Sequence, residues 1–144
     1  MKLLSVLSEE VNKKRLLKLL ITDMGMDKSD AQSELNSIVR RIDNLPEDIT
    51  LYRILNVDDE QDINKKQIGS HFSNRKKDLL SAHYFVDAGK ENYFLVKVKA
   101  KKSMIDVMST LENNILYPNE NEITLKNKGK GVEILSIKKV DKYQ

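Results

Sequence analysis

Ile49-Thr50-Leu51-Tyr52-Arg53-Ile54-Leu55 follows the proline at position 46 and differs in kind from everything before it. Its residues are β-branched, aromatic or aliphatic, with the period of two that a half-buried strand requires. Upstream, apolar residues recur at helical spacing instead. From Ser8 to Met24 a cap-competent serine and two glutamates open the first turn, and Leu17, Leu20, Ile21 and Met24 share one face before Gly25. A second helix is expected from Asp27 or Ser29, carrying Leu35, Ile38, Val39, Ile42 and Leu45, until Pro46 removes a backbone donor and stops it. Pro46 thus marks a boundary: residues 1–46 are read as a helical segment, a hairpin or a cap, and residues 47–144 as the module that follows.

Beyond this strand, Asp58 to Lys66 is polar enough for a loop or one short helix, and Gln67 to Ser73 reads as a strand entered through Gly69. Asn74 can cap a helix bearing Leu79, Leu80, Ala82, His83 and Phe85. Tyr93 to Lys99 alternates as a strand, and Met104 to Met108 reads as a second, shorter one. Tyr117-Pro118-Asn119 signals a turn into Glu120-Asn121-Glu122-Ile123-Thr124-Leu125, and Lys128-Gly129-Lys130-Gly131 separates that run from a last strand, Val132 to Val140. Two helices followed by several strands is the order of an α+β domain, which disfavours a Rossmann fold.

Composition narrows the chemistry. The chain has no cysteine, so disulfides, thiolate metal sites and cysteine nucleophiles are excluded, and His71 and His83 are its only imidazoles. No metal site is expected. With 144 residues, 40% of them hydrophobic, it can form one compact domain plus a small helical accessory. No apolar run approaches the roughly 20 residues of a membrane-spanning helix, and no small-residue cleavage pattern follows the N-terminal apolar stretch. A cytoplasmic protein without membrane contact is expected. The net charge of +3 permits nucleic-acid binding without demanding it.

Among candidate site residues, Arg53 is in phase with Ile49, Leu51 and Leu55, so its guanidinium points to the side of three aliphatic residues, where an unpaired charge is costly. A structural carboxylate is the common answer to such a charge; a bound phosphate or carboxylate is the functional one. Glu120 and Glu122 lie two apart, and carboxylates facing one site repel and divide roles. A solvated edge explains most such pairs. Ser70, His71 and Ser73 combine hydroxyls with an imidazole but lack the glycine-flanked elbow of a serine nucleophile. His83 reads as a packed histidine beside aromatic residues, and Lys97, Lys99, Lys101 and Lys102 read first as a solvated, edge-protecting face and second as a phosphate-binding stripe.

Taken in order, Leu51-Tyr52-Arg53, then Gly69-Ser70-His71-Phe72-Ser73, then Ala82 and Phe85, then Tyr93 to Val98, then Tyr117 to Leu125, the segment from Leu51 to Val140 resembles the arginine–serine–glutamate class of ADP-ribosyltransferases. That family carries an aromatic-arginine strand, a Ser-Thr-Ser strand followed by a helix, and a Glu-x-Glu loop entering a strand. The resemblance implies an α+β fold with a two-sheet β core around an NAD cleft, here preceded by the helical hairpin. It implies that Arg53 grips an NAD phosphate, with Tyr52, Ser70, His71 and Ser73 beside the dinucleotide. Glu122 becomes the essential carboxylate, stabilising the oxocarbenium-like sugar as nicotinamide leaves, and Glu120 faces the acceptor, an arginine of a target protein.

The sequence departs from the family at the Ser-Thr-Ser strand, where Phe72 replaces the threonine and His71 stands at the first serine. Either His71 or Ser70 takes over that serine's task, or activity is weakened. The expected function is mono-ADP-ribosyl transfer from NAD to a protein inside a cell, by a phage protein or a toxin-like effector. Its rivals are an inactive structural or virion protein of the same fold and, third, a basic nucleic-acid-binding module.

Overall fold

The computed structural model describes residues 10–80, 88–118 and 121–141. Helix α1 (Glu10–Lys18) runs into a wider π-type turn, Leu19–Asp23, and is followed by α2 (Lys28–Asp43). Asp27 caps α2 by accepting a hydrogen bond from the Asp30 amide at 2.8 Å, and Leu35, Ile38, Val39 and Ile42 are buried along its inner face, as their spacing predicts. The face of α1 differs from expectation. Leu16 and Leu20 are buried, while Ile21 and Met24 stay 39% and 38% exposed, because the π-type turn after Lys18 breaks the 3.6-residue period on which their placement rested. Ser8, its expected cap, lies outside the described residues.

Five strands follow: β1 (Asp48–Val57), β2 (His71–Ser73), β3 (Asn92–Lys101), β4 (Glu122–Thr124) and β5 (Glu133–Val140). All pair antiparallel in a single sheet of order β4-β2-β1-β3-β5, so the class is α+β, but the two-sheet core expected above is not formed among the described residues. The reason is that β2 and β4 add to the free edge of β1 rather than starting a layer of their own. Along β1 and β3 the expected alternation holds. Ile49, Leu51, Val96, Val98 and Ala100 face one large core that they share with Leu16, Leu20 and the inner face of α2. Leu95 and Val140 face the other side, under the single-turn helix α3 (Lys76–Leu79), with Tyr52 and Ile54 packed beside them. Where β5 pairs with β3, Leu135 is an extra residue between Ile134 and Ser136; this bulge keeps Ile134 and Ile137 both on the core side and leaves Leu135 outside.

Met104 to Met108, expected to be a strand, is not one. Lys102–Met104 forms a tight turn, Ile105 makes one bridge to Leu125, and helix α4 (Val107–Leu116) begins after Asp106, whose carboxylate caps it at the Ser109 amide. The segment Asp58 to Lys66 holds one helical turn, Glu60–Asp62, closed by a reciprocal Asp59–Asp62 capping box. Strand β2 covers only the end of the expected Gln67–Ser73 run. The helix positions from Ala82 through Phe85, His83 among them, lie outside the described residues.

Candidate functional site

The sheet order brings the three strands singled out in the sequence side by side. Tyr52 of β1 faces Ser73 of β2, Ser73 faces Glu122 of β4, and His71 faces Thr124. Directly paired residues share a face, so Tyr52, Ser73 and Glu122 form a row across three strands, with His71 and Thr124 beside it. Arg53 alternates to the opposite face, with Phe72 and Ile123 next to the main core.

Around Glu122 the polar contacts converge. Its Oε2 accepts a hydrogen bond from Thr124 Oγ1 at 3.1 Å and lies 3.3 Å from His71 Nδ1. Thr124 Oγ1 in turn accepts from Asn113 Nδ2 at 3.1 Å, and the Glu122 carbonyl accepts from Asn114 Nδ2 at 2.8 Å. Both asparagines come from α4. With 18% of its side chain exposed, Glu122 is held yet reachable, while His71 is 60% exposed at the rim. Helix α4 also supplies what a further strand would: Thr110 Oγ1 accepts from the Thr124 amide at 3.0 Å and donates to the Thr124 carbonyl at 3.3 Å. The open edge of β4 is thereby closed by the Thr110 hydroxyl together with the Asp106 amide, which donates to the Thr124 carbonyl at 2.8 Å.

Arg53 answers its burial in an unexpected way. No carboxylate lies within ion-pair distance among the described residues; Nη1 donates to the His71 carbonyl at 3.1 Å, and the guanidinium carbon sits 5.9 Å from the centre of the Phe72 ring. Its Nε is buried without a hydrogen-bond partner. Burial pulls the arginine below its ordinary pKa, opposed by the charge of Glu122. Gly69 makes this placement possible. At φ +124° it occupies backbone space that other residues avoid, and a Cβ there would come 2.4 Å from Arg53 Nη1.

The remaining expected residues are placed differently. Ser73 is 2% exposed, and its hydroxyl accepts from the Arg75 amide and donates to the Arg75 carbonyl, closing the turn into α3. Ser70 is half-buried, and its carbonyl accepts from the Leu125 amide. Glu120 lies outside the described residues. Asn113, Asn114, Thr110 and Thr124 were not singled out in the sequence; the signal that could have found them is Asp106 three residues before Ser109, a helix start. Three of the four clustered lysines are engaged: Lys99 with Glu133, Lys101 with Asp48, and Lys102 with the Asp43 carbonyl.

A shallow, open cleft adjoins Glu122, lined by Ile42, Leu45 and Ile123 together with Arg41, Asn114 and Asn121. No family model matches the chain, and comparison with curated proteins and with solved structures finds no match either. Among the described residues, no helix is long and apolar enough to cross a membrane, and no group of three or more metal-ligating side chains is gathered in one place.

Proposed function

We propose that this chain is a mono-ADP-ribosyltransferase that uses NAD as substrate and a protein arginine as acceptor. The observation that carries this reading is the adjacency of β4, β2 and β1, which brings Glu122 and His71 together on one face, with Arg53 behind them on the other, from positions far apart in the sequence. In the proposed reaction Glu122, fixed by Thr124 and His71, lies against the ribose and stabilises positive charge as the carbon–nitrogen bond to nicotinamide breaks and the electron pair leaves with nicotinamide. An acceptor guanidinium nitrogen then bonds to the same ribose carbon, and its proton passes to a carboxylate, the role the resemblance gives Glu120. Arg53 contributes fixed positive charge behind the β2 backbone, on the face opposite the Glu122 side chain. The His71–Glu122 contact supports His71, rather than Ser70, in the task of the missing first serine.

A second reading is favoured by Ser73, whose hydroxyl is buried and used locally, and by Arg53, whose Nη1 is spent on a backbone carbonyl. In it the fold is kept as a structural component without turnover. The two readings separate on incubation of a cell lysate with NAD labelled either in its nicotinamide or in its adenosine moiety. The transferase reading expects nicotinamide release and labelled protein, with Glu122→Gln slower by at least about 100-fold at unchanged fold. Absence of release from the parent chain rejects it.

A further inference from the structure

We infer that Arg41, at the end of α2, is a positioning residue for the Glu122 turn, so that the N-terminal helices form part of the site itself. The inference deepens the transferase reading and rests on it for its link to turnover. Arg41 Nη1 donates to Asn121 Oδ1 at 3.4 Å, and Nη2 donates to Asn114 Oδ1 at 3.5 Å. One guanidinium thus bridges the residue preceding Glu122 and the residue that holds the Glu122 carbonyl. Each contact is long and weak alone. Their placement gives them leverage.

Asn121 stands at φ +49°, the left-handed region, which an L-residue enters at a cost that asparagine meets better than most. That conformation aims the chain into β4 and so sets where the Glu122 side chain emerges. Asn114 is 3% exposed and already donates to the Thr110 carbonyl at 2.7 Å and to the Glu122 carbonyl at 2.8 Å, which leaves its Oδ1 to accept from Arg41. Ile42 and Leu45, the next turn of the same segment, line the cleft that opens onto Glu122. Helix α2 therefore supplies one wall of the cleft and a cation that ties the turn to α4.

The test uses the full chain with Arg41→Ala and Arg41→Gln, read by amide hydrogen exchange and by nicotinamide release. Exchange at Asn121 to Leu125 is expected to rise about tenfold in both variants, with β1 and β3 unchanged. In turnover, kcat falls about tenfold with KM for NAD unaltered, the pattern of a misplaced catalytic group rather than a lost binding contact. Adding Asn121→Gly, which holds positive φ without help, to Arg41→Ala restores part of kcat; a purely structural role for Arg41 gives no such rescue. Unchanged exchange at the turn overturns the inference, and so does a rise spread through β1 and β3. If the exchange signature is present while the parent chain releases no nicotinamide, the positioning role stands and the transferase reading falls.

Discussion

The two sides of β1 are held by different means. Toward β3, ten consecutive residue pairs run from Asp48–Lys101 to Val57–Asn92 without a break. Toward β2, only Tyr52 and Ser73 pair, and β2 and β4 are three residues each. The long ladder is a frame stabilised by backbone hydrogen bonds and a shared apolar core. The short side carries the candidate site and depends on side chains instead: Thr110, Asn113 and Asn114 from α4, and Arg53 from within β1. Stability and site geometry are thereby assigned to opposite flanks of one strand.

The strongest challenge to this division is Leu51→Ala, at a fully buried position of the ladder. A loss of about 3 kcal/mol is expected, felt by the whole molecule as one unfolding transition in urea. A loss under about 1 kcal/mol places the stabilising core elsewhere. Next in size is Thr110→Val, which keeps shape but takes away the partner of the Thr124 amide, while the Thr124 carbonyl keeps the Asp106 amide. A cost of about 1–2 kcal/mol by calorimetry is expected, with nicotinamide release falling further than stability predicts. A variant equal to the parent in both shows that α4 does not hold the edge of β4.

The smallest effect belongs to the surface. A hydrogen bond from Lys101 and its positive charge hold the Asp48 carboxyl below its ordinary value, and both groups are exposed. A depressed folded-state pKa means the pair's contribution is present above the ordinary aspartate value, about 3.9, and is lost as pH falls through the lower folded value. Asp48→Asn is accordingly expected to leave the thermal midpoint at neutral pH almost unmoved, and a carboxyl-detected NMR titration to place the Asp48 midpoint below that of an unpaired aspartate.

Legibility in the sequence follows the same division. β1 and β3 were readable because alternation is a local property of residues that pair in long, regular runs, and β5 because the Lys128-Gly129-Lys130-Gly131 turn sets it off. The phase of Arg53 with Ile49, Leu51 and Leu55 was readable for the same reason, although its partner, a backbone carbonyl of β2, was not. Helix α2 announced itself through Asp27 and its apolar stripe. Helix α4 did not: Met104-Ile105-Asp106-Val107-Met108 is a short, mostly apolar run of the kind a strand also shows, and the cap at Asp106 is where it turns into a helix. Asparagines on a helix are ordinarily solvated, so Asn114 became visible only once β4 was laid against it. The meeting of His71 with Glu122 depends on the register of two three-residue strands, which no local pattern encodes.

Gly69, which leaves room for the Arg53 guanidinium, lies directly against Gly129. A Cβ on Gly129 would come within 2.3 Å of the Gly69 carbonyl oxygen, which would have to move, and Gly69 is the residue against which Arg53 lies. The Gly69 amide, moreover, donates to the Lys128 carbonyl at 2.9 Å. A methyl group gained near the C-terminal end of the chain is therefore relayed, through one backbone segment, to an arginine in its first strand. Gly129 cannot gain a side chain unless the Gly69 carbonyl yields, and Gly69 cannot gain one unless Arg53 does.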